Sequence, residues 1–169
     1  MPVDSFKFLP RLIATFYQML EVEARQPIPW TPLPLPLDQC NFGLVTTAGL
    51  YDPGSEEPFD VERERREPRW GDPSFRRITK QVPTHDLAIS HLHLNTADIL
   101  LDPNIVFPRT RMEALAARGR IAGLADENYS FMGYQGYPPD TTAWELEFGP
   151  QVAQSFLNAG VQCVLLTPV

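Results

Sequence analysis

The feature of this sequence that most constrains its fold is a helix, a glycine and an apolar run that follow one another near its end. Residues 149–158 carry Val152 and Phe156 at helical spacing, and Gly160 follows as a left-handed cap. Residues 161–166, VQCVLL, then form an uninterrupted apolar run. This order is typical of the second half of a βαβ unit, so we predict a Rossmann-like α/β fold with a parallel sheet and flanking helices.

A second apolar run, residues 42–47, predicts another buried parallel strand, which ends at Thr46 and Thr47 and leads into a turn at Gly49. Open α/β sheets bind ligands beyond the carboxyl ends of such strands. The turn has one glycine where a dinucleotide fingerprint needs several, so nicotinamide or flavin binding is not supported. We expect Thr46, Thr47, Gly49 and, on the other strand, Thr167 to bind a small-molecule substrate.

The N-terminal part of the chain predicts one helix and one extended segment. Apolar residues recur at helical spacing over residues 10–24, with Pro10 suited to the first helical position. The prolines of residues 27–36 rule out a central strand. We expect this segment to wrap across the domain with Trp30 and Leu33 as apolar anchors. A proline-rich ligand for another protein is the alternative.

The middle of the chain gives weaker patterns. Residues 51–80 are polar and interrupted by prolines, which predicts a long irregular excursion, and within them the mixed charges of residues 62–69 indicate a solvated loop or short helix face. Residues 86–94 alternate with one phase change, which predicts a strand with a bulge or a turn. Residues 109–118 predict a helix closed by Gly119.

Composition narrows the class of protein. The 169 residues include 14 basic and 21 acidic side chains, and the formal charge of -7 disfavours nucleic acid and anionic membranes as partners. No apolar run approaches the roughly 18 residues that span a bilayer. Cys40 and Cys163 are too few for a disulfide framework, which fits a cytoplasmic protein. We divide the chain into an N-terminal segment, residues 1–39, and an α/β domain, residues 40–169.

All three histidines, His85, His91 and His93, lie close together in the sequence. On a strand, His91 and His93 would point to the same side, which makes a metal site with His85 one possibility. The alternative is a hydrogen-bonded pair that lines a cleft and supplies charge or protons to a substrate. We predict no bound metal and keep the histidine site as the alternative. Cys163 is expected to be a core thiol and Cys40 an incidental one.

Five strings occur in an order and spacing that resemble the selenoprotein B family of glycine, sarcosine, betaine and D-proline reductases. The resemblance covers about residues 40–169 and rests on the whole set, because each string alone is weak. The strings are LVTTAGLYD (44–52), GDPSFR (71–76), DPNIVFP (102–108), RMEALAARGRIAGLADENYSFMG (111–133) and AGVQCVLLTPV (159–169).

The resemblance implies a reaction and a missing residue. In that family, the strand that matches VQCVLLTPV runs directly into a selenocysteine, or sometimes a cysteine, at the start of a helix, where a selenolate is stabilised as a nucleophile. By this match the reactive residue would directly follow Val169. We therefore expect the sheet to be incomplete at the C-terminus, no catalytic residue within this chain, no turnover by it, and no cofactor beyond that selenocysteine.

The implied reaction is reductive cleavage of a carbon–nitrogen bond in a small amino-acid-like substrate, with a thiol protein as the electron donor. Two alternatives remain, a metal-dependent enzyme that uses His85, His91 and His93, and a non-catalytic module for ligand binding or assembly. A missing helix would leave apolar sheet surface exposed, so we also expect the chain to form homo-oligomers.

Overall fold

The computed structural model describes residues 10–19 and 31–169, and these belong to two separate units, one ending at Pro32 and one beginning at Leu33. The first unit contains helix α1 (Arg11–Met19), which confirms a helix beginning after Pro10. The rest of the predicted 10–24 range, and Trp30 with it, lies outside the described residues. No helix in the described ranges is long and apolar enough to cross a membrane.

The second unit alternates short strands and helices. Leu33, which we expected to act as an anchor, is 55% exposed. In chain order the elements of this unit are β1 (Asn41–Thr46), β2 (Leu50–Tyr51), α2 (Val61–Arg66), β3 (Phe75–Thr79), β4 (Ala88–Ile89), α3 (Thr96–Leu101), α4 (Arg109–Ala117), β5 (Gly123–Leu124), β6 (Glu127–Phe131), α5 (Gly149–Asn158) and β7 (Cys163–Thr167).

Strand β1 is the centre of the main sheet. Strand β7 pairs with it in parallel along one edge, from Phe42 opposite Cys163 to Thr46 opposite Thr167. Strands β5 and β6 pair in parallel with the other edge, one after the other, and β3 joins β6 in antiparallel orientation. The predicted α/β fold is therefore confirmed as a curled, mostly parallel, Rossmann-like sheet flanked by helices.

Helices lie on both faces of this sheet, although Val164 and Leu166 of β7 stay 43% and 65% exposed. Met112 of α4 belongs to an apolar cluster on one face, together with Leu44 and Phe107. Val152 and Phe156 of α5 belong to the cluster on the other face, where Phe156 meets the edge of Tyr129 with ring centroids 5.0 Å apart. Because a parallel sheet is buried on both faces, two such layers are what its apolar strands require.

A buried side chain fills the gap between β5 and β6. Asn128 is fully buried, and its Oδ1 accepts a hydrogen bond from the backbone N–H of Leu44 at 2.7 Å. Its Nδ2 donates to the carbonyl of Ala125 at 3.2 Å. The amide thus satisfies backbone groups of β1 and of the β5–β6 connection, which a buried sheet cannot leave unpaired.

Predictions for the other elements had mixed outcomes. The helices predicted at 109–118 and 149–158 are confirmed as α4 and α5, with Gly119 and Gly160 at φ 64° and 68° as their left-handed caps. Of the two alternatives for residues 86–94, the structure agrees with a strand that turns near Ser90, because β4 covers only Ala88–Ile89 and bends follow at residues 92–94. His91 and His93 therefore lie beyond the strand.

The prediction of an irregular excursion over residues 51–80 is wrong. This stretch contains α2 and β3, and Phe59 and Ile78 are 1% and 0% exposed. A polar side chain organises it, since Arg76 donates to the carbonyls of Glu57 at 2.6 Å and Pro58 at 3.0 Å. The guanidinium of Arg76 also lies 4.1 Å from the ring centre of Phe59. Hydrophobic periodicity does not detect packing of this kind.

Candidate functional site

The carboxyl ends of three parallel strands meet at one edge of the sheet. Thr46 at the end of β1 lies opposite Thr167 of β7 on one side and opposite Ser130 of β6 on the other. Beyond these residues, Ala48 and Met132 form an isolated bridge. We call this edge the strand-end crevice; that it binds a ligand, as the sequence predicts, stays a prediction.

Threonine hydroxyls hold the strand ends together. The Thr47 hydroxyl accepts a hydrogen bond from the N–H of Val169 at 2.9 Å and donates to the Val169 carbonyl at 3.2 Å. Thr167 donates through its hydroxyl to the carbonyl of Val106 at 2.6 Å. Thr46 is fully buried, and its hydroxyl donates to the Thr167 carbonyl at 3.3 Å. Of the three predicted threonines, Thr46 thus lies below the crevice, whereas Thr47 and Thr167 line it.

Two glycines allow close approach of the backbone here. Gly49 has φ 67°, and a Cβ on it would lie 2.4 Å from the Ser90 carbonyl oxygen. Gly133 donates its N–H to the Thr47 carbonyl at 2.8 Å, and a Cβ on it would lie 2.7 Å from the Val169 carbonyl oxygen. The turn therefore requires a glycine at position 49, and Gly133 adds a second tight contact at the same edge. The predicted role of Gly49 in substrate binding stays a prediction.

A pocket of about 380 Å³ opens beside these strand ends. Its walls are almost entirely apolar, and Trp144 meets the edge of the Phe131 ring with centroids 5.6 Å apart. Trp144 begins a π-helical turn, Trp144–Phe148, that leads into α5, a geometry often found at functional sites. Its indole Nε1 is buried and has no hydrogen-bond partner within the described part of the chain. The lining includes Val45, Thr47, Phe131, Trp144, Leu166 and Thr167.

The structure brings two of the three histidines together. The His91 and His93 rings meet edge to face with centroids 6.0 Å apart, and the His91 Nδ1 accepts from the His93 N–H at 3.1 Å. Burial, with the nearby His93 second, lowers the pKa of His91 to about 4. His85 is separate, with a side chain 83% exposed and 3.4 Å from Asp86.

Glu64 is the site residue that the sequence patterns did not reveal. It lies on α2, its side chain is 2% exposed, and its Oε1 is 2.8 Å from the His93 Nε2. Burial raises the pKa of Glu64, while the hydrogen bond with His93 acts in the opposite direction. A helix start at Asp60, whose side chain accepts from the Arg63 N–H, was detectable in the sequence. The burial of Glu64 among its charged neighbours was not detectable in the sequence.

The geometry gives less support to a metal site or a reactive thiol than to the pairing of Glu64 with His93. Among residues 10–19 and 31–169, no group of three or more His, Cys, Asp or Glu side chains is arranged to hold a metal ion. Cys40 is fully buried, and its thiol donates to the carbonyls of Leu35 and Pro36. Burial raises the pKa of the Cys163 thiol, and the neighbouring Cys40 raises it further. Both thiols are free, and the raised pKa of Cys163 disfavours its nucleophilic thiolate.

The fold and the strand ends define the chain as an α/β domain with an apolar pocket beside the carboxyl edge of its sheet. Within that class, the chain is similar to the gamma subunit of D-proline reductase from Acetoanaerobium sticklandii. The two are 34% identical over 138 residues, which cover 82% of this chain and 52% of that subunit. The chain therefore spans about half the length of the curated relative. No protein-family model and no solved structure matches the chain.

Proposed function

We propose that this chain is the substrate-binding part of a selenol- or thiol-dependent reductase of the selenoprotein B family. The observation that carries the proposal is the 34% identity over 138 residues to a D-proline reductase subunit. The reaction proposed is reductive cleavage of a carbon–nitrogen bond in a small amino-acid-like compound. The carbon gains hydrogen, the nitrogen leaves as an amine, and a pair of thiols on a donor protein is oxidised to a disulfide.

The strand-end crevice is the proposed substrate site. The pocket beside it, of about 380 Å³, suits a small molecule. The apolar walls would contact the hydrocarbon part of the substrate. Thr47 and Thr167 belong to the lining, with their hydroxyls bonded to the backbone of Val169 and Val106. Thr46 is buried beneath this site, and Gly49 forms the turn beside it. The Ser90 N–H donates to the Gly49 carbonyl at 2.9 Å, and His91 and His93 follow Ser90 in the chain.

The redox residue of this proposal is a selenocysteine or cysteine that directly follows Val169. The contacts of Thr47 and Gly133 with Val169 support it, because a residue joined to Val169 would begin beside the crevice. On this proposal the 169-residue chain alone has no turnover. Free Cys40 and Cys163 are compatible with a cytoplasmic location. The exposed apolar side chains of β7, with Leu166 at 65%, support self-association.

The experiment is an analysis of the native protein from its source cells. We expect an intact mass above the 19.1 kDa of these 169 residues, with selenium or a cysteine thiol directly after Val169. With dithiothreitol as the thiol donor, we expect D-proline-dependent formation of an amine product. A native protein with neither selenocysteine nor cysteine after Val169 would contradict the proposal. So would full turnover by a chain that ends there.

A further inference from the structure

An apolar groove of about 730 Å³ lies on the face of the sheet that α4 covers. Its lining includes buried Met112 and Ile121 and half-buried Phe42 and Leu165. These four side chains belong to the apolar cluster of the α4 face or pack against it. Val45, in contrast, packs against the cluster of the α5 face and lines the pocket beside the strand ends. The groove and that pocket are therefore separate cavities on opposite faces of the sheet.

Two arginines complete the lining of this groove where α4 ends. Arg118 and Arg120 flank Gly119, whose φ of 64° ends the helix. Their backbone N–H groups both donate to the carbonyl of Leu115, at 3.2 and 3.0 Å. This reversal of the chain keeps both arginines beside the same apolar side chains, and both are exposed. The groove thus has an apolar interior and a cationic margin.

The two arginines lack a counter-ion of their own. Within residues 10–19 and 31–169, the side chains of Arg118 and Arg120 make no ion pair and no hydrogen bond. Arg111 of the same helix, in contrast, pairs with Asp102 at 3.4 Å. Because the protein has a formal charge of -7, two neighbouring unpaired cations depart from its overall charge. They would attract an anion that the rest of the surface repels.

The end of the helix explains only part of this arrangement. A cation near a helix C-terminus interacts favourably with the last carbonyl groups, which accounts for Arg118. It does not account for the apolar side chains that stay open to solvent beside the arginines, since Leu37 is 53% and Leu115 is 39% exposed. Exposed apolar surface next to unpaired cations complements a ligand that is apolar at one end and anionic at the other.

We propose that this groove binds a small amphipathic anion, a carboxylate with a hydrocarbon tail. The carboxylate pairs with Arg118 and Arg120, because a guanidinium group donates two parallel hydrogen bonds to the oxygens of a carboxylate. The tail lies against Phe42, Met112 and Leu165, and its transfer out of water supplies most of the binding free energy. The proposal is independent of the proposed function, since among the described residues the groove shares no lining residue with the substrate pocket.

The first test adds decanoate, below its critical micelle concentration, to the ¹⁵N-labelled 169-residue chain. We expect saturable backbone amide shifts that are largest between Leu115 and Ile121. Hexanoate has a shorter tail and should bind more weakly by about tenfold or more, because less hydrocarbon leaves water. No saturable shift with decanoate, or shifts confined to the strand ends around Thr47, would overturn the proposal.

The second test separates the groove from nonspecific adsorption by the sign of the ligand charge. Decyltrimethylammonium has a comparable tail, and the net charge of -7 should favour this cation if only the overall field of the protein acts. At the groove we expect the reverse, with decanoate bound about fivefold more tightly in titration calorimetry. Equal or tighter binding of the cation at the groove would contradict the proposal.

The third test removes the cations. Arg118→Gln and Arg120→Gln should each weaken decanoate binding by about threefold, and the double variant by about tenfold, because single exposed ion pairs are weak. The matched control is Arg111→Gln, which removes an arginine of α4 outside the groove and should leave the affinity unchanged. Circular dichroism confirms that each variant is folded. Unchanged binding by the folded double variant, or an equal loss in Arg111→Gln, would overturn the pairing of the carboxylate with these two arginines.

Discussion

The strand-end crevice and the Glu64–His93 pair lie on neighbouring parts of the chain but are held by different interactions. Backbone groups, threonine hydroxyls and two glycines form the crevice, and none of these is charged. The other region depends on a buried carboxylate and two imidazoles. The shape of the crevice therefore follows from the sheet, whereas the electrostatics of the pair follow from how α2 and the histidine segment are buried.

The largest expected effect concerns the turn that joins these two regions. We expect Gly49→Ala to lower the free energy of unfolding by about 4 kcal/mol, because it combines a left-handed φ with a contact of 2.4 Å to the Ser90 carbonyl. Denaturant unfolding measures the loss. Gly119→Ala is the matched control, since its φ is 64° but no atom lies within 4 Å, and about 1 kcal/mol is expected there. Equal losses would show that the Gly49–Ser90 contact does not join the regions tightly.

Acidification should affect the histidine region and leave the crevice contacts unchanged. The pKa of His91 falls from 6.5 to about 4 on folding, so the folded state binds fewer protons than the unfolded state. Above pH 6.5, His91 is neutral in both states and does not change the stability. As the pH falls towards 4, only the unfolded state takes up the proton, so the free energy of unfolding decreases by at most about 3 kcal/mol. Unfolding experiments between these pH values measure it.

His91→Phe should flatten that dependence, and His85→Gln should not. Glu64 acts in the opposite sense, because its raised pKa makes the folded state bind more protons. Glu64→Gln should therefore steepen the loss of stability on acidification. If His91→Phe left the pH dependence unchanged, the burial of His91 would not be its cause.

Within the sheet, Asn128→Ala should cost about 2 kcal/mol, because the Leu44 N–H would be left without a partner in a buried position. Thermal or denaturant unfolding measures this cost. The control is Asn158→Ala, which removes an exposed hydrogen bond with Gln154 and should have little effect. Comparable values would contradict the role of Asn128 in joining β5, β6 and β1.

The smallest effect is expected at the crevice itself. Thr47→Val should lower the free energy of unfolding by about 1 kcal/mol, because it removes the two hydrogen bonds between this hydroxyl and the backbone of Val169. The loss is small because both hydrogen bonds are partly exposed. The same variant should weaken binding of D-proline, measured by titration calorimetry. Thr141→Val, at an exposed hydroxyl bonded to Glu145, is the control for both measurements. If Thr47→Val bound D-proline normally, the Thr47 hydroxyl would not be part of the proposed substrate site.

The crevice was predictable from the sequence because it follows from strand order. Two apolar runs ending in threonines, and a helix capped by Gly160, place Thr46, Thr47 and Thr167 at one edge once the strands are parallel. The contact between Glu64 and His93 was not predictable, because Glu64 lies in a run of mixed charges that is typical of a solvated helix. The exposed fraction of such a residue depends on tertiary contacts, here with His93.

Two further features also depend on tertiary contacts. Asn128 replaces backbone pairing at an interruption of the sheet, and hydrophobic periodicity does not mark such a position. The π-helical turn at Trp144 follows from packing beside Phe131 and from the close approach of Gly149, where a Cβ would lie 2.4 Å from the Trp144 carbonyl oxygen. Neither signal is present in the residue pattern alone.

The central claim is that the carboxyl edge of the sheet binds a small amino acid. The most direct measurement is a titration of the uniformly ¹⁵N-labelled chain with D-proline, with backbone amide shifts followed by residue. We predict saturable shifts that are largest at Thr47, Gly133 and Thr167. No saturable shift, or shifts confined to the opposite end of the sheet around Gly123, would contradict it.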